Sequence, residues 1–249
     1  MRAAACAVAL AMLALAPSGV TAQQGGTSLA GALYQYLPGR AQAPALAGAK
    51  VYIARYPLAK QPQWLGPSVS DGLGRFTFSG ILPAQYLLRV YVGKTAIWEN
   101  SVDLEKSLVL PPIIVAVHDS AIAVQYFPKK VEGARVTDRL KALGYKYTTG
   151  EPVNEDPTNA IWYGSGVSLS DVKLLAGALI EGGITIRAIR EFNAPDGDRA
   201  KTIQIGTDPN LPENAPACSV AKLQGATGFA RDPRNDDAAR KNLKILGCT

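Results

Sequence analysis

The fold of the N-terminal half is decided by residues 70–90, which read SDGLGRFTFSGILPAQYLLRV. Phe76 and Phe78 in this stretch are separated by one polar residue, so both rings fall on the same face of a β-strand. The Asp-Gly-Leu-Gly segment at 71–74 provides the glycine that a tight reversal needs. The stretch therefore predicts a turn, a strand, a short corner at 81–83 and a second strand.

The same two-residue period extends outward from this stretch and is broken by turn residues about every 8 to 12 positions, as is typical of β-sandwiches. No helical period interrupts it. We therefore predict an all-β sandwich domain over residues 23–116. Its predicted strands cover residues 28–36, 50–55, 74–79, 85–91, 95–99 and 107–114.

A family resemblance supports this prediction. Residues 48–53, which read GAKVYI, together with residues 70–90 resemble the carboxypeptidase regulatory-like, transthyretin-like domains. Members of that family show Gly-Ala-x-Val, an Asp-Gly turn, a Phe-x-Phe strand, a Leu-Pro corner and a Tyr-x-Leu strand. Ala84 and Gln85 stand where the family usually has Pro-Gly. The resemblance implies a structural or adhesive module. The hydrolases of the transthyretin group use more than one histidine, whereas residues 23–116 contain none.

The second half predicts a small α+β domain over residues 117–206. Ser168 followed by Asp171 forms a capping box that opens a helix ending at Glu181. A second helix is expected where Val136 and Leu140 fall on one face. The predicted order is βαββαβ, and residues 207–249 are expected to form a C-terminal extension. The predicted elements are strands at 121–127, 145–149, 160–163 and 184–189 and helices at 134–143 and 168–181.

This half also carries a family resemblance. The pair Gly133-Ala134, the segment Leu143-Gly144-Tyr145 and the segment at 158–163 resemble the C-terminal domain of LytR-type cell-envelope proteins and, more distantly, the SPOR peptidoglycan-binding fold. Residues 127–130 depart from the family, which has an Asn-Gly turn there. The resemblance implies an envelope-associated domain that binds a ligand or a partner without known chemistry.

The N-terminus predicts export. Met1-Arg2 is followed by an apolar run at 3–16, a helix-breaking Pro-Ser-Gly at 17–19 and small residues up to Ala22. This arrangement is typical of a signal peptide, so we predict residues 1–22 as a signal peptide cleaved after Ala22. The alternative is an uncleaved anchor. The predicted location of the mature chain is the periplasm or the extracellular medium.

Export places Cys218 and Cys248 in an oxidising compartment, where two thiols without a competitor most simply form one disulfide. The bridge would strap the C-terminal extension; the alternative is two separate buried thiols. With one histidine in the whole chain and so few cysteines, we expect no metal site and no cofactor. We also expect no membrane span in the mature chain, because the apolar run at 108–117 is short and carries Pro111 and Pro112.

The net charge of +6 is uneven: residues 23–116 carry +4 and residues 117–249 carry +1. A mildly basic first half suits an anionic envelope polymer, although a solvated surface is the simpler interpretation. Nucleic acid is not an expected partner, because the chain has an export signal and no motif that combines aromatic and basic residues.

The candidate binding residues lie in the second half. Trp162 and Tyr163 point to opposite sides of their predicted strand, and an exposed ring beside Arg187 or Arg190 would form a stacking platform for a sugar or a peptide. The alternative is that both rings are packed under helices. Ser168 begins a helix, where free N–H groups form either an anion cradle or a plain cap.

We expect no catalytic residue. His118, Asp119 and Ser120 are the residue types of a hydrolase triad, but neighbours in sequence point in different directions. The sequence therefore predicts an exported, non-enzymatic binding or interaction protein of the bacterial cell envelope, with a cell-wall glycan, a peptide or an envelope protein as partner. The alternatives are a hydrolase with a scattered site near His118 and a structural subunit of a secreted assembly, which would expose a broad apolar patch.

Overall fold

The computed structural model describes residues 26–152, 154–212 and 214–232. The predicted signal peptide and Cys248 lie outside these residues. Within the described ranges, no helix combines the length and the apolar character that crossing a bilayer requires. The chain is rich in β-structure, with several sheets and few helices, as the sequence predicts at the level of fold class.

The N-terminal half forms two four-stranded sheets. Its strands are β1 (Thr27–Gln35), β2 (Lys50–Arg55), β3 (Leu65–Val69), β4 (Arg75–Ile81), β5 (Ala84–Val92), β6 (Thr95–Leu104), β7 (Leu108–Val109) and β8 (Ile113–Val115). One sheet places β1 between antiparallel β4 and the two short parallel strands β7 and β8. The other has the antiparallel order β3-β2-β5-β6.

The apolar side chains of these strands share one core. Phe76 and Phe78 both lie in it, with their ring centroids 6.4 Å apart, which confirms the period-two interpretation. Leu29 and Leu33 contribute from β1, and Ile53 contributes from β2; all three are fully buried. The alternation of apolar and polar residues therefore selects one face of each strand for burial, because only that face leaves water on folding.

Proline explains two of the differences from the predicted strands. We did not predict β3, since Gly66 and Pro67 disrupt its pattern; it forms at the edge of its sheet, where a missing N–H is tolerated. The single strand predicted at 107–114 is divided into β7 and β8. Pro111 and Pro112 lie between them and cannot donate to a neighbouring strand.

The second half contains a five-stranded sheet in the order β10-β9-β13-β11-β12. Its elements are β9 (Ala123–Tyr126), α1 (Arg135–Ala142), β10 (Lys146–Thr149), β11 (Ala160–Tyr163), α2 (Leu169–Glu181), β12 (Ala188–Glu191), β13 (Thr202–Gly206) and α3 (Val220–Gly225). Each helix, α1 and α2, connects two parallel neighbours. The predicted βαββαβ order is present from β9 to β12.

Two predictions on this sheet are wrong in detail. The fourth strand lies at 188–191, not at 184–189, because the N–H of Ile184 bonds to Leu179 O and closes the end of α2. The sequence analysis also missed β13, which pairs in parallel with β9 and antiparallel with β11. Ile203 and Ile205 of β13 are fully buried. This strand, which lies just before the predicted extension, is the central strand of the sheet.

A second apolar cluster packs around α1 and α2 and begins at Ala116, where the first cluster has ended with Val115. Cys218 and Leu223 belong to this second cluster, with exposed fractions of 6% and 1%. The described part of the predicted extension therefore packs on the second core. The pairing of Cys218 with Cys248 stays a prediction, since Cys248 lies outside the described residues.

The segment that follows β1 connects the two cores. Tyr36 and Gly39 both bond to the carboxylate of Glu181, the last residue of α2. Pro38 packs against Gly177, where an added Cβ would lie 2.5 Å from the proline Cβ. Gly177 is thus a close-approach glycine, and any side chain at this position would separate α2 from Pro38.

Candidate binding surface

The two aromatic residues predicted as a platform lie on opposite faces of β11, as the alternation requires, but they form no open surface. Trp162 is only 2% exposed and packs with Ala188 and Phe192 in a small separate cluster. Tyr163 is half-buried on the second core, with the Phe229 ring edge-on at 6.1 Å. Trp162 is therefore not the predicted exposed ring beside an arginine, because a later segment of the chain covers it, and the half-buried ring of Tyr163 faces the second core.

The two arginines predicted beside that platform hold the chain together. Arg190 is 8% exposed and donates to Asp208 at 2.5 Å, with Asp232 Oδ1 at 4.0 Å. The guanidinium of Arg187 donates to the carbonyl oxygen of Ala215. Both side chains thus fasten the segment after β13 to β12 and its entry loop.

Ser168 acts as a helix cap. Its hydroxyl accepts from the N–H of Asp171 at 3.1 Å and donates to the carboxylate of Asp171 at 2.6 Å. The Ser168 N-cap is thus confirmed; the Asp171 carboxylate bonds to the Ser168 hydroxyl, whereas the reciprocal bond of a capping box would go to the Ser168 N–H. These contacts are those of a plain cap, and the anion cradle stays a prediction.

His118 lies between the two cores rather than in a cleft. Its ring stacks on Tyr145 with the ring centroids 4.0 Å apart, and its Nε2 lies 3.0 Å from Leu143 O. The neighbouring carboxylate of Asp119 is paired with Lys201 at 2.6 Å. The imidazole nitrogens thus lie 3.3 Å and 3.0 Å from two backbone carbonyl oxygens, those of Asp119 and Leu143.

A different surface brings aromatic and charged side chains together. We call it the aromatic face; it is the outer side of the sheet β3-β2-β5-β6, and it consists of Tyr52, Trp64, Arg89, Tyr91 and Glu99. Register places them next to one another. Tyr52 is opposite Arg89 on the neighbouring strand, and Glu99 is opposite Arg89 on the other side. Tyr91 follows two residues later on the same face of β5.

Direct contacts tie the aromatic face into one cluster. The guanidinium carbon of Arg89 lies 4.6 Å from the Trp64 ring centroid, within the range of a cation–π contact. Arg89 Nε donates to Glu99 at 2.5 Å. The rings of Tyr52 and Tyr91 meet edge-on at 5.6 Å. The rings are half-buried and therefore held in place, while part of each ring stays accessible.

The charge of Arg89 is held in this position. Partial burial of its guanidinium opposes the charged form, but the hydrogen bonds to Tyr91 and Glu99 outweigh that effect and raise its pKa. Lys50 lies opposite Tyr91 on the neighbouring strand, and Ser101 lies on β6. Both residues are exposed. The rim of the aromatic face thus offers both hydrogen-bond donors and acceptors.

Such a surface suits a ligand with alternating apolar and hydroxyl-bearing faces. An aromatic ring packs against apolar C–H groups, and the arginine–glutamate pair bonds to the hydroxyl groups beside them. We did not predict this surface, although a signal was present: Tyr52, Arg89 and Tyr91 all occupy positions on β2 and β5 that face away from the core. Their proximity depends on the pairing of two strands that are far apart in sequence.

No family model matches the chain, and no curated protein matches it. Part of the chain is similar to solved structures. A suggested carbohydrate-binding protein of Pseudomonas aeruginosa is 16% identical over 39% of this chain and 92% of its own, with a TM-score of 0.25. A minor pilin of Streptococcus agalactiae is 15% identical over 37% of this chain and 44% of its own, with a TM-score of 0.29.

A mutant type II cohesin–X-dockerin complex of Acetivibrio cellulolyticus is 14% identical over 63% of this chain and 90% of the matched chain, with a TM-score of 0.28. TM-scores of 0.25 to 0.29 are too low to carry an argument about this chain. The resemblances to transthyretin-like and LytR-type domains therefore stay predictions.

Proposed function

We propose that this chain is an exported, non-enzymatic glycan-binding protein of the cell envelope and that its aromatic face holds the glycan. The observation that carries the proposal is the clustering of Tyr52, Trp64 and Tyr91 with Arg89 and Glu99 on one outer sheet face. Three partly accessible rings supply apolar contact area, and the charged pair supplies directional hydrogen bonds.

The rigidity of the cluster favours binding. Trp64 is fixed by Arg89, and Tyr52 is fixed by Tyr91, so a ligand would order few side chains when it binds. Ordering a flexible side chain costs about 0.5–1.5 kcal/mol, and a fixed surface avoids most of that cost. The excess of positive charge over residues 23–116 favours an anionic polymer, such as an acidic cell-wall glycan.

The hydrolase alternative has less support. It requires His118 to face acidic side chains in a cavity, whereas the ring is stacked on Tyr145 and its nitrogens contact backbone carbonyl oxygens. The structural-subunit alternative stays a prediction, and the glycan-retention experiment also tests it.

The proposal is tested by retention on insoluble cell-wall glycan. The mature chain, Trp64→Ala and Tyr91→Ala are compared with Tyr56→Ala, a control that removes a 47% exposed ring of the same half outside the aromatic face. We expect the parent and Tyr56→Ala to be retained equally, and each variant of the aromatic face to bind about tenfold more weakly. Thermal unfolding confirms that the variants are folded.

Intrinsic fluorescence provides a second measurement. Trp64, Trp98 and Trp162 are the tryptophans of the chain, and Trp64 belongs to the aromatic face. A soluble oligosaccharide should change the emission of the parent but not that of Trp64→Ala. Equal retention of all four proteins, or failure of the parent to bind any glycan, would overturn the proposal.

A further inference from the structure

A second candidate site on the N-terminal half is concave, and the loop that forms one of its walls also carries Trp64 of the aromatic face. It is a groove of about 480 Å³ between the loop at 56–64 and the corner where β4 meets β5. Ligand pockets for small molecules enclose roughly 300–1,000 Å³, so the groove is of suitable size. None of the five side chains of the aromatic face lines it.

The floor and walls of this groove are apolar. Ile81 and Tyr86 form the floor, with exposed fractions of 7% and 2%. The Tyr86 hydroxyl donates to Leu82 O at 2.8 Å, so its polar atom is already satisfied. Leu65 and Leu82 line the sides and are each 47% exposed. Large apolar side chains left this open around a cavity indicate a surface that gains from being covered.

The charge of the groove has one sign. Arg55 is the one charged side chain among its lining residues, and it is exposed at the groove. No ion pair of Arg55 is present in the described part of the chain. Residues 55–65 contain a second cation, Lys60, and no acidic residue. The positive potential at the groove is therefore uncompensated by its own loop.

We propose that this groove binds a carboxylate carried on an apolar body. The planar guanidinium of Arg55 matches a carboxylate, which it can bind through two parallel hydrogen bonds. The apolar body would cover Leu65 and Leu82. The exposed amides of Gln61 and Gln63 line the same groove and supply further donors and acceptors. This ligand class goes beyond the glycan proposed above and uses a separate set of residues.

The chemistry is tested on the mature chain with three eight-carbon probes, octanoate, octylamine and octanol, by titration calorimetry. We expect octanoate to bind, octanol to bind about tenfold more weakly and octylamine not to bind, because only octanoate pairs with Arg55. Arg55→Gln should weaken octanoate about tenfold, and Arg55→Lys should weaken it less. The control Arg40→Gln removes an exposed arginine of the same half that does not line the groove.

Further arms test the source of the carboxylate and the apolar wall. A short apolar peptide with a free C-terminus is compared with its C-terminal amide; preference for the free peptide over octanoate indicates a chain end, and the reverse indicates a free acid. Leu82→Ser changes a 47% exposed residue and should weaken whichever of the two binds, without unfolding the protein. Either source supports the proposal.

Three results would overturn the inference: equal affinity for octanoate and octanol, unchanged octanoate binding by Arg55→Gln, or no binding of octanoate and the free peptide. The two proposals fail separately. Tyr91→Ala should leave octanoate binding unchanged, and Arg55→Gln should change retention on the glycan no more than Arg40→Gln, which removes the same charge outside the groove.

Discussion

The hydroxyl of Tyr36 donates a 2.5 Å hydrogen bond to Glu181 Oε2 and so joins the residue after β1 to the last residue of α2. The other oxygen of the same carboxylate accepts the N–H of Gly39 at 2.6 Å. One carboxylate therefore fastens the first core to the second. Because each half has a core of its own, this bond couples the unfolding of one half to that of the other.

Removing this bond should lower the free energy of unfolding. We expect Tyr36→Phe to cost about 1 kcal/mol, since the bond involves a charged acceptor but is partly exposed to water. Glu181→Ala should cost more, because it removes the acceptor for both Tyr36 and Gly39. Urea denaturation measures the change. Glu151→Ala, which removes an exposed carboxylate elsewhere, is the control, and a Tyr36→Phe midpoint equal to that of the control would contradict the prediction.

Alkaline pH should destabilise the protein through its buried tyrosines. Burial raises the pKa of Tyr36, Tyr126 and Tyr145, and nearby carboxylates, Glu181, Glu132 and Asp171 respectively, raise it further. The folded state thus holds these protons more tightly than the unfolded chain, whose tyrosines titrate near 10. The stabilisation is complete below pH ~10 and is lost above it, at up to about 1.4 kcal/mol per pH unit each for Tyr126 and Tyr145 and by less for Tyr36, which is partly exposed to water.

Tyr145→Phe isolates one of these contributions. Its hydroxyl is buried and has no hydrogen-bond partner among the described residues, so removing it should change stability little at pH 8. The variant should lose less stability than the parent between pH 10 and 12 in urea titrations. A parallel decline in both proteins would refute the assignment to Tyr145.

Three glycines near one another in the first half should respond differently to alanine. Gly72 has an ordinary φ and open space, so Gly72→Ala should change stability by less than about 0.5 kcal/mol. Gly48 has φ +75° and open space, so its replacement should cost about 1–2 kcal/mol. Gly74 also has φ +75°, and an added Cβ would lie 2.2 Å from Leu33 O.

Gly74→Ala should therefore be the most harmful of the three, because it adds a clash with the backbone of β1 to the strain of the left-handed conformation. Thermal unfolding of the three variants gives the order directly. Loss of stability in Gly72→Ala equal to that in Gly74→Ala would show that the turn responds to any side chain, whatever its backbone geometry.

A buried carboxylate in the second half should be essential for stability. Glu132 is 3% exposed and accepts from the Tyr126 hydroxyl at 2.5 Å and from Thr158 N at 2.6 Å. Glu132→Ala would leave these two donors, and the Thr158 hydroxyl that also donates to Glu132 at 3.1 Å, without their acceptor, which should cost about 3 kcal/mol. A double-mutant cycle with Tyr126→Phe measures the coupling between the two side chains. Strictly additive effects would show that their short contact contributes nothing.

The elements with regular patterns could be predicted from the sequence. The strand β2 has its predicted bounds, 50–55, because the charged residues Lys50 and Arg55 flank a short apolar run that contains the β-branched residues Val51 and Ile53. The cap at Ser168 was predicted from a local signal of four residues and is confirmed by two hydrogen bonds. These features depend on residues that are close in sequence, so a local sequence pattern can predict them.

The missed features depend on distant contacts. Pro67 interrupts the sequence pattern of β3, and the strand can pair only because it lies at the edge of its sheet. Trp162 carries the residue type expected of a binding platform, but Phe192 packs against it and the two are buried together. The aromatic face arises when β2 pairs with β5, which are separated by two other strands. Alternation can tell which side chains point outward, but not which of them become neighbours.

The central position of β13 has a consequence for synthesis. The units β9-α1-β10 and β11-α2-β12 have no strand pairing with each other; each pairs with β13, which follows both in the chain. Until β13 is made, β9 and β11 are both open edges, and Gly206 must be synthesised before those two edges can be closed. A chain that stops short of this residue would display two unjoined pieces to proteases and chaperones, so the last strand in the described part of the chain is the one that turns them into a single sheet.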